Sequence, residues 1–261
     1  MQIEVIIEKK SHKLDAEEGK TILETLQEHG IHVLTAPCGG RGRCGKCTVE
    51  VEHMGEVLAC MTKVTDGMRI TIPKVQLRAQ KSKIAENGTV THYPADDGEG
   101  LDAACDIGTT TVVCHLIDGK TGEKLATVSE PSAQRSFGAD VLSRIQAAEA
   151  GKLEILKEQI IFQIAQMLRT LQKKTGRGEQ IQRLAVVGNT VMCHLFAGIS
   201  PVSIGVTPFM PQEFFGKEYT GEQLGLTDCR SVYIAPAVAG FVGGDITSDL
   251  LAVMQKNPKE K

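Results

Sequence analysis

Four cysteines between residues 38 and 60 carry the clearest chemistry in this chain of 261 residues. Cys38, Cys44 and Cys47 lie in one short segment, and Cys60 follows 13 positions later. Thiolates are soft metal ligands, and four of them serve a [2Fe–2S] cluster. Glycines lie between them at Gly39, Gly40, Gly42 and Gly45. Because glycine accepts positive φ and a close backbone approach, we expect a loop that curls around the cluster with its amides facing the sulfurs.

The spacing of these cysteines leaves one main alternative, a Cys₄ zinc site. It reads C-x5-C-x2-C, one residue longer than the plant-type C-x4-C-x2-C. Zinc sites usually pair two Cys-x-x-Cys knuckles, and only Cys44 and Cys47 form one here. A disulfide framework is a weaker alternative because nothing else in the sequence looks secreted. His32 and His53 flank the region and could replace cysteines as in Rieske centres, but four cysteines suffice.

Composition excludes several classes of function. The net charge is −3, aromatic residues make up 4% and tryptophan is absent, which argues against a nucleic-acid partner. The amino terminus lacks the pattern of a signal peptide, and no apolar run of about 18 residues predicts a membrane span. Eight cysteines in such a chain indicate a reducing cytosol, so we expect a cytoplasmic protein. The four cysteines outside the segment are expected to be small buried apolar residues.

The first 73 residues predict the element order of a β-grasp ferredoxin. Apolar alternation predicts a hairpin over 2–8 and 11–15, and Thr21–Glu24 is a capping box that opens a short helix. The cysteine loop follows, and then strands are expected over 48–52 and 68–72. Residues 74–100 carry basic and then acidic side chains with prolines and glycines, which predicts a solvated linker.

From residue 101 onward the pattern predicts alternating strands and helices. Strands are expected over 101–105, 112–117, 124–128, 184–187 and 232–235, and helices over 137–150, 152–174 and 246–256. Asn189 is expected to cap one further helix that ends at Gly198, and Asp245 or Thr247 to cap the last one.

A second candidate site is the sequence Asp106-Ile-Gly-Thr-Thr-Thr111 between two predicted strands. A hairpin tip of this kind can cradle phosphate: Gly108 gives room, Thr109 and Thr110 offer amides and hydroxyls, and Asp106 can hold Mg²⁺. The alternative is an ordinary tight hairpin whose side chains satisfy their own backbone. Two further turns favour a nucleotide-type cleft, one at 188–190 and one in the glycine-rich loop at 236–245.

The whole pattern resembles the reductive activators of corrinoid enzymes. The motifs that carry the resemblance follow the ferredoxin-like segment: DIGTTT (106–111), FGADVLSRI (137–145), GNTVMCHLFAGI (188–199), PFMP (208–211) and AGFVGGDI (239–246). In that family the second part resembles the acetate and sugar kinase, Hsp70 and actin superfamily. The resemblance implies an α+β chain with a β-grasp [2Fe–2S] ferredoxin domain (1–73), a linker (74–100) and an α/β ribonuclease-H-like domain (101–261).

The resemblance also implies a function and its residues. The family's activators pass an electron from the [2Fe–2S] cluster to a Co(II) corrinoid, with ATP hydrolysis assisting. On this basis four cysteines ligate the cluster, namely Cys38, Cys44, Cys47 and Cys60. The first phosphate motif, for ATP and Mg, would comprise Asp106, Gly108, Thr109 and Thr110. The implied partners are a corrinoid iron–sulfur protein or a corrinoid methyltransferase component, and an upstream electron donor.

One departure from the family pattern divides the functional hypotheses. After Asp106 there is no second Asp-x-Gly-Thr hairpin and no adenosine loop. We therefore expect residues 101–261 to form the first lobe of an incomplete ATPase domain, one that is either ended early or completed by a separate chain. Whether the chain is an enzyme stays open, and no catalytic residue is singled out. The alternatives are a ferredoxin-type electron carrier whose second domain only docks partners, and a binding module without catalysis.

Overall fold

The computed structural model describes residues 1–73 and 98–256, and their contacts form two compact units. The described residues of the first unit are 1–73 and 133–147, and those of the second are 98–132 and 148–256. Most of the predicted linker, residues 74–97, lies outside the described part, and so does the end of the chain from residue 257.

The first unit contains a mixed five-stranded sheet of the β-grasp type. Its strands are β1 (Gln2–Ile7), β2 (Lys10–Asp15), β3 (Thr48–Val51), β4 (Gly55–Leu58) and β5 (Arg69–Thr71), in the spatial order β2-β1-β5-β3-β4. Only the β1–β5 pair is parallel among these neighbours. Ile3 and Val5 alternate inward, at 2% and 0% exposure, and begin the apolar core. Strand β4 is an element that the sequence did not predict.

One short helix, α1 (Ile22–Glu28), packs on this sheet. The capping box predicted at its start is present: Thr21 accepts a hydrogen bond from the Glu24 backbone, and the Glu24 carboxylate accepts one from the Thr21 N–H. The helix buries Ile22 and Leu26 completely in the core. Two orphan donors at its amino end are therefore satisfied reciprocally.

Residues 133–147 differ from the single helix expected over 137–150. They form a 3₁₀ helix (Ala133–Phe137) and then α2 (Val141–Ala147). The helical conformation is interrupted at Gly138, where an added Cβ would lie 2.2 Å from Ser143 Cβ. The Asp140 side chain then accepts the Ser143 N–H and opens the new helix. The expectation was wrong because this side-chain cap and the glycine outweigh the apolar spacing.

The second unit contains a six-stranded sheet with ribonuclease-H-like topology. Its strands are β6 (Leu101–Ile107), β7 (Thr111–Asp118), β8 (Lys124–Pro131), β9 (Ile181–Val187), β10 (Lys217–Thr220) and β11 (Cys229–Ile234). Their order is β10-β11-β9-β6-β7-β8. Strands β6, β7 and β8 form an antiparallel meander, while β9 pairs in parallel with both β6 and β11.

The helices of the second unit follow the predicted pattern more closely. An irregular turn over Ala148–Lys152 leads into α3 (Leu153–Thr175), which contacts β7 and β8 and ends at Gly176 in the left-handed region. The helix α4 (Thr190–Ala197) is capped by Asn189 and ends at Gly198, as predicted. The remaining helices are a 3₁₀ turn (Val202–Gly205), α5 (Gly221–Leu224) and α6 (Gly244–Lys256).

The last helix starts earlier than expected. Asp245 and Thr247 lie inside the first turn of α6 and do not precede it, so the predicted cap was wrong. The helix begins at Gly244, which packs against Ala235 so closely that an added Cβ would lie 2.9 Å from the alanine Cβ. Among the residues that the structure describes, no helix combines the length and apolarity needed to cross a bilayer.

Candidate iron–sulfur site and nucleotide-type cleft

Strand register brings the distant Cys60 next to Cys47. Strands β3 and β4 pair with Thr48 opposite Leu58, and the ladder continues one step as the Ala59 N–H donates to the Cys47 carbonyl at 2.9 Å. The amino end of α1 holds the same segment, because the Leu23 N–H donates to the Ala59 carbonyl at 3.0 Å. The pairing of β3 with β4 and the bond to the first turn of α1 together position Cys60 beside the loop.

The four sulfurs approach one another in two pairs. The Sγ atoms of Cys38 and Cys44 lie 3.3 Å apart, and Cys47 and Cys60 are joined by a thiol hydrogen bond. Cys47 and Cys60 are buried, at 1% and 7% exposure, while Cys38 and Cys44 are half-buried. A two-iron cluster with four thiolates uses two on each iron, and two sulfur pairs suit that division.

Backbone amides of the loop point at sulfur, as the glycines predicted. The four loop glycines all have positive φ: Gly39, Gly40, Gly42 and Gly45. Burial by itself would raise the pKa of Cys38, but hydrogen bonds from Cys44, Arg43 and Arg41 lower it to about 6. The loop is thus arranged to stabilise a thiolate at this position.

Cys60, in the buried pair, has the opposite electrostatic character to Cys38. Burial, and then the neighbouring Cys47 thiol, raises the pKa of Cys60 to about 12, although the Gly42 N–H donates to its sulfur. A metal ion deprotonates coordinating thiols outright, so a bound cluster would supply the charge that this buried pair lacks.

The residues present fit a [2Fe–2S] cluster. They provide four thiols in two pairs, a glycine loop at positive φ and N–H donors directed at sulfur. Within residues 1–73 and 98–256, no group of three or more His, Cys, Asp or Glu side chains is arranged around a single metal ion. The identity of the individual ligands stays a prediction. His32 packs near the Phe137 ring and His53 is exposed, in keeping with packing and surface roles.

The second site is the hairpin that joins β6 to β7. Asp106 lies near the end of β6 and pairs with Val113 of β7. Gly108 occupies the tip of the hairpin, where an added Cβ would lie 2.5 Å from the Thr111 carbonyl oxygen. Only glycine fits this position without a backbone shift. Thr109 and Thr110 follow at the tip, and Thr110 is exposed.

Three turns meet at one edge of the sheet, where β6, β9 and β11 end. The Asn189 side-chain amide donates to Thr109 Oγ1 at 3.0 Å and joins the second turn to the hairpin. Gly243 packs on the second turn so closely that an added Cβ would lie 2.5 Å from the Gly188 carbonyl oxygen. The Asp245 N–H also donates to Gly188, at 3.2 Å. The structure thus brings together the three glycine-containing turns that the sequence singled out.

Neighbouring carboxylates act on Asp106, whose side chain remains accessible to solvent. Partial desolvation in the cleft, and then the charges of Asp245 and Asp249, raises the pKa of Asp106 to about 6. A carboxylate that repels its neighbours in this way gains most when a cation or a proton occupies the site. The sequence did not single out Asp249, since nothing distinguishes it from other polar residues of an exposed helix face.

The four cysteines outside the loop and one buried histidine have structural roles. Cys105, Cys114, Cys193 and Cys229 are all buried, at 2% exposure or less, as expected. His194 is buried, with Nδ1 at 2.7 Å from the Thr190 carbonyl and its ring edge-on to Phe215. These residues belong to the core of the second unit.

The fold and the sites together define a class: a [2Fe–2S] cluster-binding domain joined to a ribonuclease-H-like α/β domain. Residues 4–74 match the family model of a "2Fe-2S iron-sulfur cluster binding domain". Residues 101–257 match the model described as "RACo middle region", which is more than half of the chain. The chain belongs to that family.

One curated protein and one solved structure are similar to the chain over most of its length. It is 26% identical over 307 residues to the corrinoid activation enzyme RamQ of Eubacterium limosum, over 87% of this chain and 51% of the relative. A solved structure titled as a reductive activator for corrinoid, iron-sulfur protein is 24% identical, with a TM-score of 0.59, over 99% of this chain and 59% of that one. The chain therefore spans between half and three fifths of the length of these relatives.

Proposed function

We propose that the chain supplies electrons for the reductive activation of a Co(II) corrinoid protein to the Co(I) state. The observation that carries the proposal is the pairing of four cysteine sulfurs inside a glycine loop whose amides point at sulfur. The relation to RamQ, whose name describes corrinoid activation, supports the corrinoid as the electron acceptor. When bound, the [2Fe–2S] cluster would accept and release one electron at a time.

The chain's own residues have separable roles in this proposal. Cys38, Cys44, Cys47 and Cys60 are the proposed cluster ligands. Amides of the loop tune the potential, since hydrogen bonds to the sulfurs favour the more negative reduced form. We propose residues 1–73 as the electron-transfer domain, with a partner reductant upstream and a corrinoid iron–sulfur protein or methyltransferase component downstream, all in the cytoplasm.

We further propose that the cleft at Asp106 binds Mg–ATP as the first lobe of an actin/Hsp70-like ATPase domain. Asp106 would hold Mg²⁺, directly or through water, and Gly108, Thr109 and Thr110 would face the phosphates. The convergence of three turns on the hairpin supports this proposal. Residues 101–261 would then need a second lobe to close over the nucleotide.

The electron-transfer proposal is tested by mixing the reduced chain with a Co(II) corrinoid protein under anaerobic conditions. Corrinoid absorbance should change to that of Co(I), and the change should depend on the cluster-loaded chain. Because plant-type clusters lie at about −400 mV, we expect little transfer without coupling and more when ATP and the completing chain are present. No transfer under any of these conditions would contradict the proposal.

The nucleotide proposal is tested separately by calorimetry with Mg–ATP. Asp106→Ala should abolish or strongly weaken binding, while Asp66→Ala on the first unit serves as the matched control. If the unmodified chain binds no Mg–ATP, the alternative of an electron carrier with a purely docking second domain is the better description.

A further inference from the structure

The segment 133–147, called the clasp below, belongs to the middle region by sequence but packs in the first unit. It leaves the second unit after Ser132 and returns to it at Ala148. Five of its side chains are almost completely buried, and three of them are polar or charged: Gln134, Ser136, Phe137, Arg144 and Ile145. Burying polar and charged side chains costs free energy unless they are hydrogen-bonded or paired, so specific contacts must stabilise this segment.

The clasp is held to α1 by a buried hydrogen bond. The Gln27 side-chain amide, on the helix, donates to the Ser136 carbonyl at 2.9 Å, and both residues are at most 5% exposed. The Phe137 ring lies beside His32, with ring centroids 6.2 Å apart. A buried carbonyl that loses its donor carries the full free-energy cost of desolvation, so this hydrogen bond stabilises the packing of the clasp on α1.

The clasp contacts the cluster loop next to Cys38. The Ala139 N–H donates to the Pro37 carbonyl at 3.2 Å, one residue before the cysteine. Gly39, one residue after the cysteine, faces the clasp across a space that an added Cβ would fill, 3.5 Å from the Phe137 carbonyl oxygen. The clasp therefore holds the backbone next to Cys38 through the bond to Pro37.

Hydrogen bonds of Arg144 connect the two helical parts of the clasp. The Arg144 guanidinium, fully buried, donates to Gln134 Oε1 and to the Gly138 carbonyl, both at 3.4 Å. These bonds join the 3₁₀ helix to α2 across the break at Gly138. The clasp thus presents a fixed surface to the loop.

We propose that the clasp is a positioning element that fixes the backbone of the cluster site. This proposal rests on the proposed function of the cysteine loop as the cluster-binding site. The sulfur of Cys38 accepts hydrogen bonds from the amides of Arg41, Arg43 and Cys44. Their geometry depends on where the backbone at residues 37–39 is held. Since hydrogen bonds to sulfur and solvent access set the potential and lability of a cluster, the clasp acts on both through Cys38.

The test uses the full chain with its reconstituted cluster and two variants of the clasp contact. Gln27→Leu removes the donor to Ser136, and Phe137→Leu keeps an apolar side chain while shrinking the contact. Matched controls lie in the second unit: Gln172→Leu, which loses the same type of bond to the Glu179 carbonyl, and Phe162→Leu, an exposed phenylalanine. The readouts are the rate of iron release to a chelator, the midpoint potential and the electron paramagnetic resonance spectrum.

We expect Gln27→Leu to release iron about tenfold faster, as the loss of a buried hydrogen bond predicts, with a changed resonance spectrum and a shifted potential. Phe137→Leu should change the same readouts in the same direction, and it serves alone if Gln27→Leu does not fold. The controls should match the unmodified chain.

Unchanged iron release, spectrum and potential in the clasp variants would overturn the inference while leaving the proposed function intact. Equal effects in the controls would also overturn it, because the change would then reflect general destabilisation. Failure of the unmodified chain to take up iron is a different result, which contradicts the proposed function itself.

Discussion

At the scale of single residues, backbone amides and neighbouring charges determine what the two sites can do. Cys38 receives amide donors and has a lowered pKa, whereas Cys60, buried beside Cys47, has a raised one. The number and spacing of the cysteines and the glycines between them sufficed to predict the cluster loop, because a [2Fe–2S] cluster needs four thiolates and a closely approaching backbone. The division of the sulfurs into a half-buried pair and a buried pair depends on the strand register and could not be predicted.

The first prediction concerns Cys44→Ser. A thiolate ligand is lost with almost no change in volume, so the cluster should be absent or labile. Visible absorbance and iron content measure the outcome. Cys193→Ala, a buried cysteine of the second unit, should leave both unchanged. Full iron content in Cys44→Ser would show that this residue is not a ligand.

The second prediction concerns the pH dependence of Asp106. Its pKa is about 6 in the folded protein, above the ordinary value of 3.8, so the folded state holds this proton more tightly than the unfolded state. The resulting stabilisation is complete below about pH 4 and is lost as the pH rises through 6. Asp106→Asn should therefore raise the free energy of unfolding at pH 7.5 and raise it less at pH 5.

Urea unfolding at the two pH values measures this difference. Asp15→Asn, at an exposed position on β2, is the control and should show no such pH-dependent gain. A loss of stability in Asp106→Asn at pH 7.5 would mean that the carboxylate is already compensated by a cation or a hydrogen bond.

At the scale of elements, caps and glycines decide where segments begin, and they also decide which predictions failed. The capping box at Thr21 and the Asn189 cap have local sequence signatures, and both were predicted. The start of α6 lies against Ala235 and the break between the 3₁₀ helix and α2 lies against Ser143, and neither contact has a local sequence signature. Strands β4 and β10 are short edge strands with little apolar alternation, so their pairing was not visible in the sequence.

The third prediction belongs to this scale and concerns Thr21→Ala. The change removes the side-chain acceptor of the α1 capping box and should destabilise the first unit by about 1 kcal/mol. Chemical unfolding of the chain, followed through the first unit, measures the effect. Thr170→Ala, an exposed threonine within α3, should change stability far less. Equal stability of Thr21→Ala would show that the box contributes little.

At the scale of the whole molecule, two architectures are joined in one chain: a β-grasp cluster domain and a ribonuclease-H-like sheet. Element order predicted the first, because a β-grasp sheet has a characteristic order of strands and helix. The second was implied by the resemblance to the corrinoid activators and did not follow from element order alone. The packing of residues 133–147 within the first unit was not predictable. Their contacts join residues such as Gln27 and Ser136, which are 109 positions apart, and no local pattern encodes such a pairing.

The measurement that tests the central claim most directly is metal analysis of the anaerobically reconstituted chain, combined with electron paramagnetic resonance after reduction. We predict about two iron atoms and two sulfides per chain, with a signal from one unpaired spin appearing on reduction. Stoichiometric zinc, or no metal after reconstitution, would contradict the account.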